Sequence, residues 1–139
     1  MIEKNFAVAA KAFIVSDGKL LIVKRKDDNP QMPGIWELPG GRMEPGENPF
    51  EGLQREMREE VGLEITVLNP MKVHHFTRAD GQIVTLIVFL CKSKETEIFL
   101  GKEPEAAKWM EINQAKLLIT PFFHEEFLLY ERHFRKEFG

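Results

Sequence analysis

Residues 41–63 read GRMEPGENPFEGLQREMREEVGL, and the second half of this stretch carries the marks of a helix fixed at both ends. Asn48 is a good N-cap, Pro49 suits the first helical position, and Glu51 stands where a capping box places its acid. Gly62 follows the last periodic residue as a stop. On a helical wheel Phe50, Leu53, Met57 and Val61 fall within an arc of about 80°, which predicts a core stripe able to pack on a sheet. Glu56, Glu59 and Glu60 cluster on a different side. Like charges at this spacing cost roughly 0.2–0.5 kcal/mol per pair, so helix stability alone does not select them.

Two readings of the acidic face follow. Arg55 and Arg58 are interleaved, as on an ordinary solvated face. Alternatively the face is a hard-cation site: Mg²⁺ takes oxygen ligands, and Glu56 and Glu60, one turn apart, can address one ion or a pair, with Glu59 at the rim. The preceding stretch, residues 26–46, is rich in Pro and Gly and reads as a long structured loop around the short piece Ile35 to Leu38. Its glycines let backbone groups approach an ion or a phosphate closely.

Taken whole, residues 41–63 resemble a Nudix box. The family pattern is G-x5-E-x7-R-E-U-x-E-E-x-G-U, with U aliphatic, and Gly41, Glu47, Arg55, Glu56, Met57, Glu59, Glu60, Gly62 and Leu63 fill its defined positions. A motif this long is far more specific than a lone glycine pattern. The approach Trp36 to Gly41 and the run Gly101, Lys102, Glu103 ahead of Trp109 and Met110 are similar to MutT-type members.

The resemblance implies a single Nudix domain over residues 1–139, an α/β/α sandwich with a mixed β-sheet between helices. It implies divalent-metal-dependent hydrolysis of a phosphoanhydride bond in a nucleoside diphosphate linked to a group X. The leading substrate is a (deoxy)nucleoside triphosphate, cleaved to nucleoside monophosphate and pyrophosphate. ADP-ribose or a nucleotide sugar is the alternative, and a non-catalytic nucleotide-sensing module the competitor of another class. The cofactor expected is Mg²⁺, with Mn²⁺ as substitute, held by Glu56, Glu59, Glu60 and the backbone carbonyl of Gly40 or Gly41. Glu59, Glu56 and Glu103 are candidates for the catalytic base, Glu103 being otherwise an ordinary loop glutamate. Glu47 and Arg55 are expected to pair and support the site. Arg25 aligns with an arginine that lies near substrate, against a surface role in the basic run 24–26, and Trp36 either stacks on a base or belongs to the core. The MutT-type asparagine that reads an oxidised guanine has no counterpart between Leu117 and Phe123.

Outward from the box, residues 6–15 and 19–24 read as a hairpin turning at Ser16, Asp17 and Gly18. Further strands are expected at Glu64 to Leu68, Met71 to Phe76, Gln82 to Lys92 and Lys108 to Ile112, with Ala79, Asp80 and Gly81 as a turn. Phe123, Phe127, Tyr130 and Phe134 predict an amphipathic C-terminal helix. His74 and His75 are adjacent on a strand, so at most one faces a pocket, and neither has a zinc spacing.

The chain has 139 residues, 29% charged and 43% hydrophobic, enough for one core. A net charge of −3 argues against nucleic acid, despite the basic residues Arg132, His133, Arg135 and Lys136. The longest apolar run, Ile83 to Cys91, is too short to cross a bilayer. Cys91, the single cysteine, reads as a buried hydrophobe in a reducing, cytoplasmic setting, and the opening residues, with Glu3, lack the layout of a secretory leader. A homodimer stays open.

Overall fold

Strand β1 (Phe6–Ser16) runs through the middle of the sheet because both of its faces are apolar. Ala10, Ala12 and Ile14 are buried on one side, Ala9, Phe13 and Val15 on the other. The computed structural model of the chain describes residues 5–138, with side chains through residue 136, so Glu3 lies outside the described residues. β1 turns through Asp17 and Gly18, whose φ of 51° and 75° suits a tight hairpin, into β2 (Lys19–Lys24).

The two edges of β1 are used differently. One pairs in parallel with β6 (Ile83–Lys92), from Phe6 opposite Ile83 to Ile14 opposite Cys91. The other is shared: β4 (Gly40–Arg42) takes Ala9 to Lys11, and β2 takes Val15 and Ser16. At the fork between them the Ala12 N–H donates to the Pro39 carbonyl at 2.9 Å. β3 (Trp36–Glu37) pairs with the far end of β2, so the fork gathers Lys11, Glu37 and Gly40. β7 (Ala106–Glu111) runs antiparallel to β2, and β5 (Thr66–Thr77) closes the sheet beside β6.

Helices cover both faces of this mixed sheet, giving the expected α/β/α sandwich. Helix α1 (Pro49–Val61) begins as predicted: Asn48 Oδ1 accepts the Glu51 N–H at 2.9 Å, and Gly62, at φ 71°, ends the helix in the left-handed region. Leu53, Met57 and Val61 are fully buried against Ala12, Ile14, Leu21 and Phe89, each contributing about 1.5–3 kcal/mol by removal from water. Phe50 departs from the predicted stripe. It lies at the open first turn, half exposed, with its ring 5.1 Å from Phe89. Phe123, Phe127 and Tyr130 pack on the opposite face, the last two with rings 5.4 Å from Phe13.

Several elements differ from the sequence reading. The segments expected at 64–68 and 71–76 form one strand, because β5 is an edge strand that tolerates Pro70 through bulges between Val67 and Asn69 and between Pro70 and Lys72. Instead of a strand reaching Ile112, helix α2 (Ile112–Leu118) starts there, capped by Glu111, whose carboxylate accepts the Asn113 and Gln114 N–H groups. The C-terminal helix changes pitch along its length: a 3₁₀ turn (Pro121–Phe123), helix α3 (His124–Leu129), a π-helical turn (Tyr130–Phe134) and a 3₁₀ turn (Arg135–Phe138). Its apolar face is nonetheless the predicted one. Among the described residues no helix is long and apolar enough to cross a membrane.

Candidate active site

The fork in the sheet buries an ionic cluster. Lys11 occupies an inward position of β1, and its ammonium lies 3.2 Å from Glu37 Oε1 and donates to the Gly40 carbonyl at 3.3 Å. Arg25, at the end of β2, closes on the same carboxylate, with Nε 2.5 Å from Glu37 Oε2, and also donates to the Gln31 carbonyl. Burial pushes the Glu37 carboxyl upward, but Lys11 and Arg25 outweigh it and hold the acid below its ordinary range.

Gly40 and Gly41 bridge this cluster to α1. Gly40 has φ 134°, and a Cβ there would collide with the Ala10 carbonyl. A Cβ on Gly41 would come within 2.8 Å of the Glu56 carboxylate. The Gly40 N–H donates to Glu60 Oε1 at 3.1 Å, so Glu60 is folded under the loop, not turned to solvent. Burial, reinforced by Glu37 and Glu56, pushes the Glu60 carboxyl up to about 7 against the opposing pull of Lys11 and the Gly40 N–H. Burial likewise raises Glu56, with Glu59 and Glu103 adding to it and Arg55 opposing.

Arg55 ties loop to helix. Its Nε lies 2.7 Å and its Nη2 2.9 Å from the two oxygens of Glu47, and Nη2 also reaches the Arg42 carbonyl at 3.2 Å. Nη1 meets Glu56 at 3.3 Å and Glu59 at 3.0 Å. The paired guanidinium pulls the Glu47 carboxyl down to about 2. Glu103 arrives from the other side, because the Gly101 N–H donates to the Glu60 carbonyl and the Phe99 N–H to the Val61 carbonyl, each at 2.9 Å.

A cavity of about 690 Å³ opens on this assembly. Gly40, Gly41, Glu60 and Glu103 line it together with Lys11, Arg25 and Glu37, and so do Phe76, Phe122, Phe123, Leu86 and Arg78. The glycines on β4 and Phe76 on β5 lie on opposite sides of β1 in the sheet, which sets an acidic end apart from an aromatic one. Glu56, which lies against Gly41, and Glu59, Glu47 and Arg55 do not line it. Nor does Trp36, whose ring is half-buried against the core with Lys108 Nζ 4.7 Å from its centre. His74 and His75 point to opposite sides of β5: His74 reaches Glu126 at 2.7 Å and His75 reaches Thr85 at 2.9 Å. Cys91 is buried, which raises its thiol above the ordinary value.

Lys11, Glu37 and the aromatic end escaped the sequence reading. Lys11 carried a usable signal, a lone charge inside the apolar run AVAAKAFIV.

A glycine-lined carboxylate end at the mouth of a mixed α/β/α sheet defines the class, and the NUDIX domain family matches the chain over residues 5–130. The chain belongs to that family and is a Nudix hydrolase. It is 37% identical over 107 residues to the nucleoside triphosphatase NudI of Enterobacter sp. (strain 638), spanning 70% of this chain and 76% of that one. Against the nucleoside triphosphatase NudI of Escherichia coli O1:K1 / APEC it is 35% identical over 108 residues, 70% and 77% of the two chains. A crystal structure of a MutT protein from Methanosarcina mazei Go1 superposes with a TM-score of 0.81 over 95% of this chain and 97% of that one, at 24% identity, a likeness of fold.

Proposed function

We propose that this chain hydrolyses nucleoside triphosphates to nucleoside monophosphate and pyrophosphate, with Mg²⁺ as cofactor and Mn²⁺ as substitute. The observation carrying this reading is the layout of the cavity. An acidic, glycine-lined end and an aromatic end are joined by a wall bearing Lys11 and Arg25, matching a cation-bridged polyphosphate continued by a flat base. The names of the relatives point to the same substrate class.

The donors suit such a cation. Glu56, Glu59, Glu60 and the Gly41 carbonyl offer only hard oxygens, and the missing Cβ of Gly41 brings the loop backbone against Glu56. The Gly40 carbonyl is less suited, since it accepts from Lys11. Among the described residues no three acidic, histidine or cysteine side chains already converge as a metal cluster. Their present partners account for that: Glu56 and Glu59 face Arg55, and Glu60 accepts from Gly40. When bound, the cation would neutralise the charge between carboxylates and triphosphate and polarise the phosphoanhydride.

The chain's own groups supply the remainder. Of the three candidate bases, Glu103 lines the cavity without bonding to Arg55, which supports it as the group that takes a proton from attacking water, with Glu56 and Glu59 as the other two. Arg25 presents a guanidinium to the phosphates from the side wall, held in orientation by Glu37. Glu47 and Arg55 fix the loop on α1.

The test is a panel of nucleoside triphosphates, ADP-ribose and nucleotide sugars, assayed with Mg²⁺ or Mn²⁺ for pyrophosphate and phosphate release, with and without chelator. The expected result is pyrophosphate from triphosphates, abolished by chelator and restored by either cation. Preferential cleavage of ADP-ribose or a nucleotide sugar would transfer the assignment to that class. No turnover of any of them would leave a nucleotide-sensing module.

A further inference from the structure

Behind the aromatic end of the cavity lies a buried polar pair that the proposed chemistry does not use. Glu126, on α3, is fully buried, and its Oε2 lies within hydrogen-bond distance, 2.7 Å, of His74 Nε2 on β5. A hydrogen bond of this length, anchored on a buried side chain, fixes the plane of the imidazole ring. On that ring stacks Phe122, centroids 4.3 Å apart at 29°, while Phe123 meets it edge-on at 5.9 Å. Phe122 in turn meets Phe76 edge-on at 5.4 Å, and both phenylalanines line the cavity. Phe122 is 41% exposed on a short 3₁₀ turn and also meets Phe123 edge-on at 4.9 Å, so the stacked imidazole is the face-to-face member of its ring contacts.

A buried carboxylate is costly, and Glu126 Oε1 is one of the buried side-chain atoms without a hydrogen-bond partner among the described residues. An apolar residue here would pack more cheaply, so the pair needs a purpose other than stability. We propose that Glu126 and His74 are positioning residues for substrate recognition: their hydrogen bond orients the imidazole that carries Phe122, and so holds the aromatic wall against which the substrate's base lies. This rests on the nucleotide reading above.

The test is steady-state kinetics with UTP and GTP in Mg²⁺, alongside inhibition by inorganic triphosphate, which has no base and reaches only the acidic end. Glu126→Leu is expected to raise KM about tenfold with kcat within about twofold, the scale of one aromatic stacking contact. Its Ki for inorganic triphosphate should be unchanged. Phe122→Leu should do the same, and the double variant should be no worse than either, because both act through one ring. Glu126→Gln, which can still bond the imidazole, should restore KM. Should Glu126→Leu fail to fold, His74→Leu/Glu126→Leu, which removes both members of the buried pair, takes its place with the same expectations. An unchanged KM in a folded variant, a Ki that rises in step with KM, or additive effects would overturn the inference alone. Wild-type protein that neither binds nor cleaves UTP or GTP would overturn it together with the functional reading.

Discussion

At Glu60 burial outweighs the pull of Lys11 and the Gly40 N–H. Burial first, then Glu37 and Glu56, lift its carboxyl to about 7, well above an unfolded glutamate. A raised acid binds more protons folded than unfolded, so its stabilising share is full below the unfolded pKa and is lost as pH rises through about 7. Metal-free protein is therefore expected to melt at progressively lower temperature between pH 5 and about 7.5. Glu60→Gln should flatten that slope, with the residue from Glu56, which is shifted the same way. It should melt no lower than wild type at pH 8, since the amide oxygen can still accept from Gly40. The same variant is expected to lose at least about a hundredfold in kcat. A melting profile identical to wild type, or near-normal turnover, would take Glu60 out of the site. The sequence placed this glutamate on a helix side distinct from the apolar stripe. It could not show the Gly40 N–H folding over it, because that contact joins residues twenty positions apart.

At the scale of elements, α1 works only with the loop that precedes it. Arg55 is the clasp, bonding Glu47 through two nitrogens and the Arg42 carbonyl besides. Lysine keeps the charge but cannot reproduce that fork, so Arg55→Lys is expected to cut kcat/KM by about 10–100-fold while circular dichroism stays unchanged. Activity within about twofold of wild type would show that the clasp is dispensable. This helix was legible because its signals are local: cap, proline, stripe and terminal glycine lie within one stretch. Helix α2 was not. Its cap is Glu111, the last residue of a strand, and its Leu117 is 88% exposed, so neither a customary cap nor a clean stripe announces it. The fusion of two expected strands into β5 depends on its place at the sheet edge, where Pro70, which by itself reads as a break, is accommodated.

The whole molecule turns on the fork where β4 and β2 share one edge of β1. Parity along β1 sends Lys11 toward the C-terminal helices with Ala9 and Phe13, and the fork supplies Glu37 to receive it. Lys11→Met removes one partner of a buried carboxylate. The expected cost is about 3 kcal/mol in denaturant unfolding, largely recovered by adding Glu37→Gln. A loss below about 1 kcal/mol would mean Arg25 alone satisfies Glu37. The sandwich and the Nudix box could be read from local pattern and resemblance. The cavity could not, because its walls come from β1, β3, β5, the 3₁₀ turn and the loop at Glu103, which only the folded chain brings together.

The central claim, that the carboxylates of α1 hold divalent cations for triphosphate hydrolysis, is tested most directly by electron paramagnetic resonance titration of Mn²⁺ into wild type, Glu56→Gln and Glu60→Gln, with a non-hydrolysable nucleoside triphosphate present. The account predicts saturable Mn²⁺ binding to wild type, weakened at least about tenfold in each variant. Equal Mn²⁺ affinity in all three proteins would contradict it.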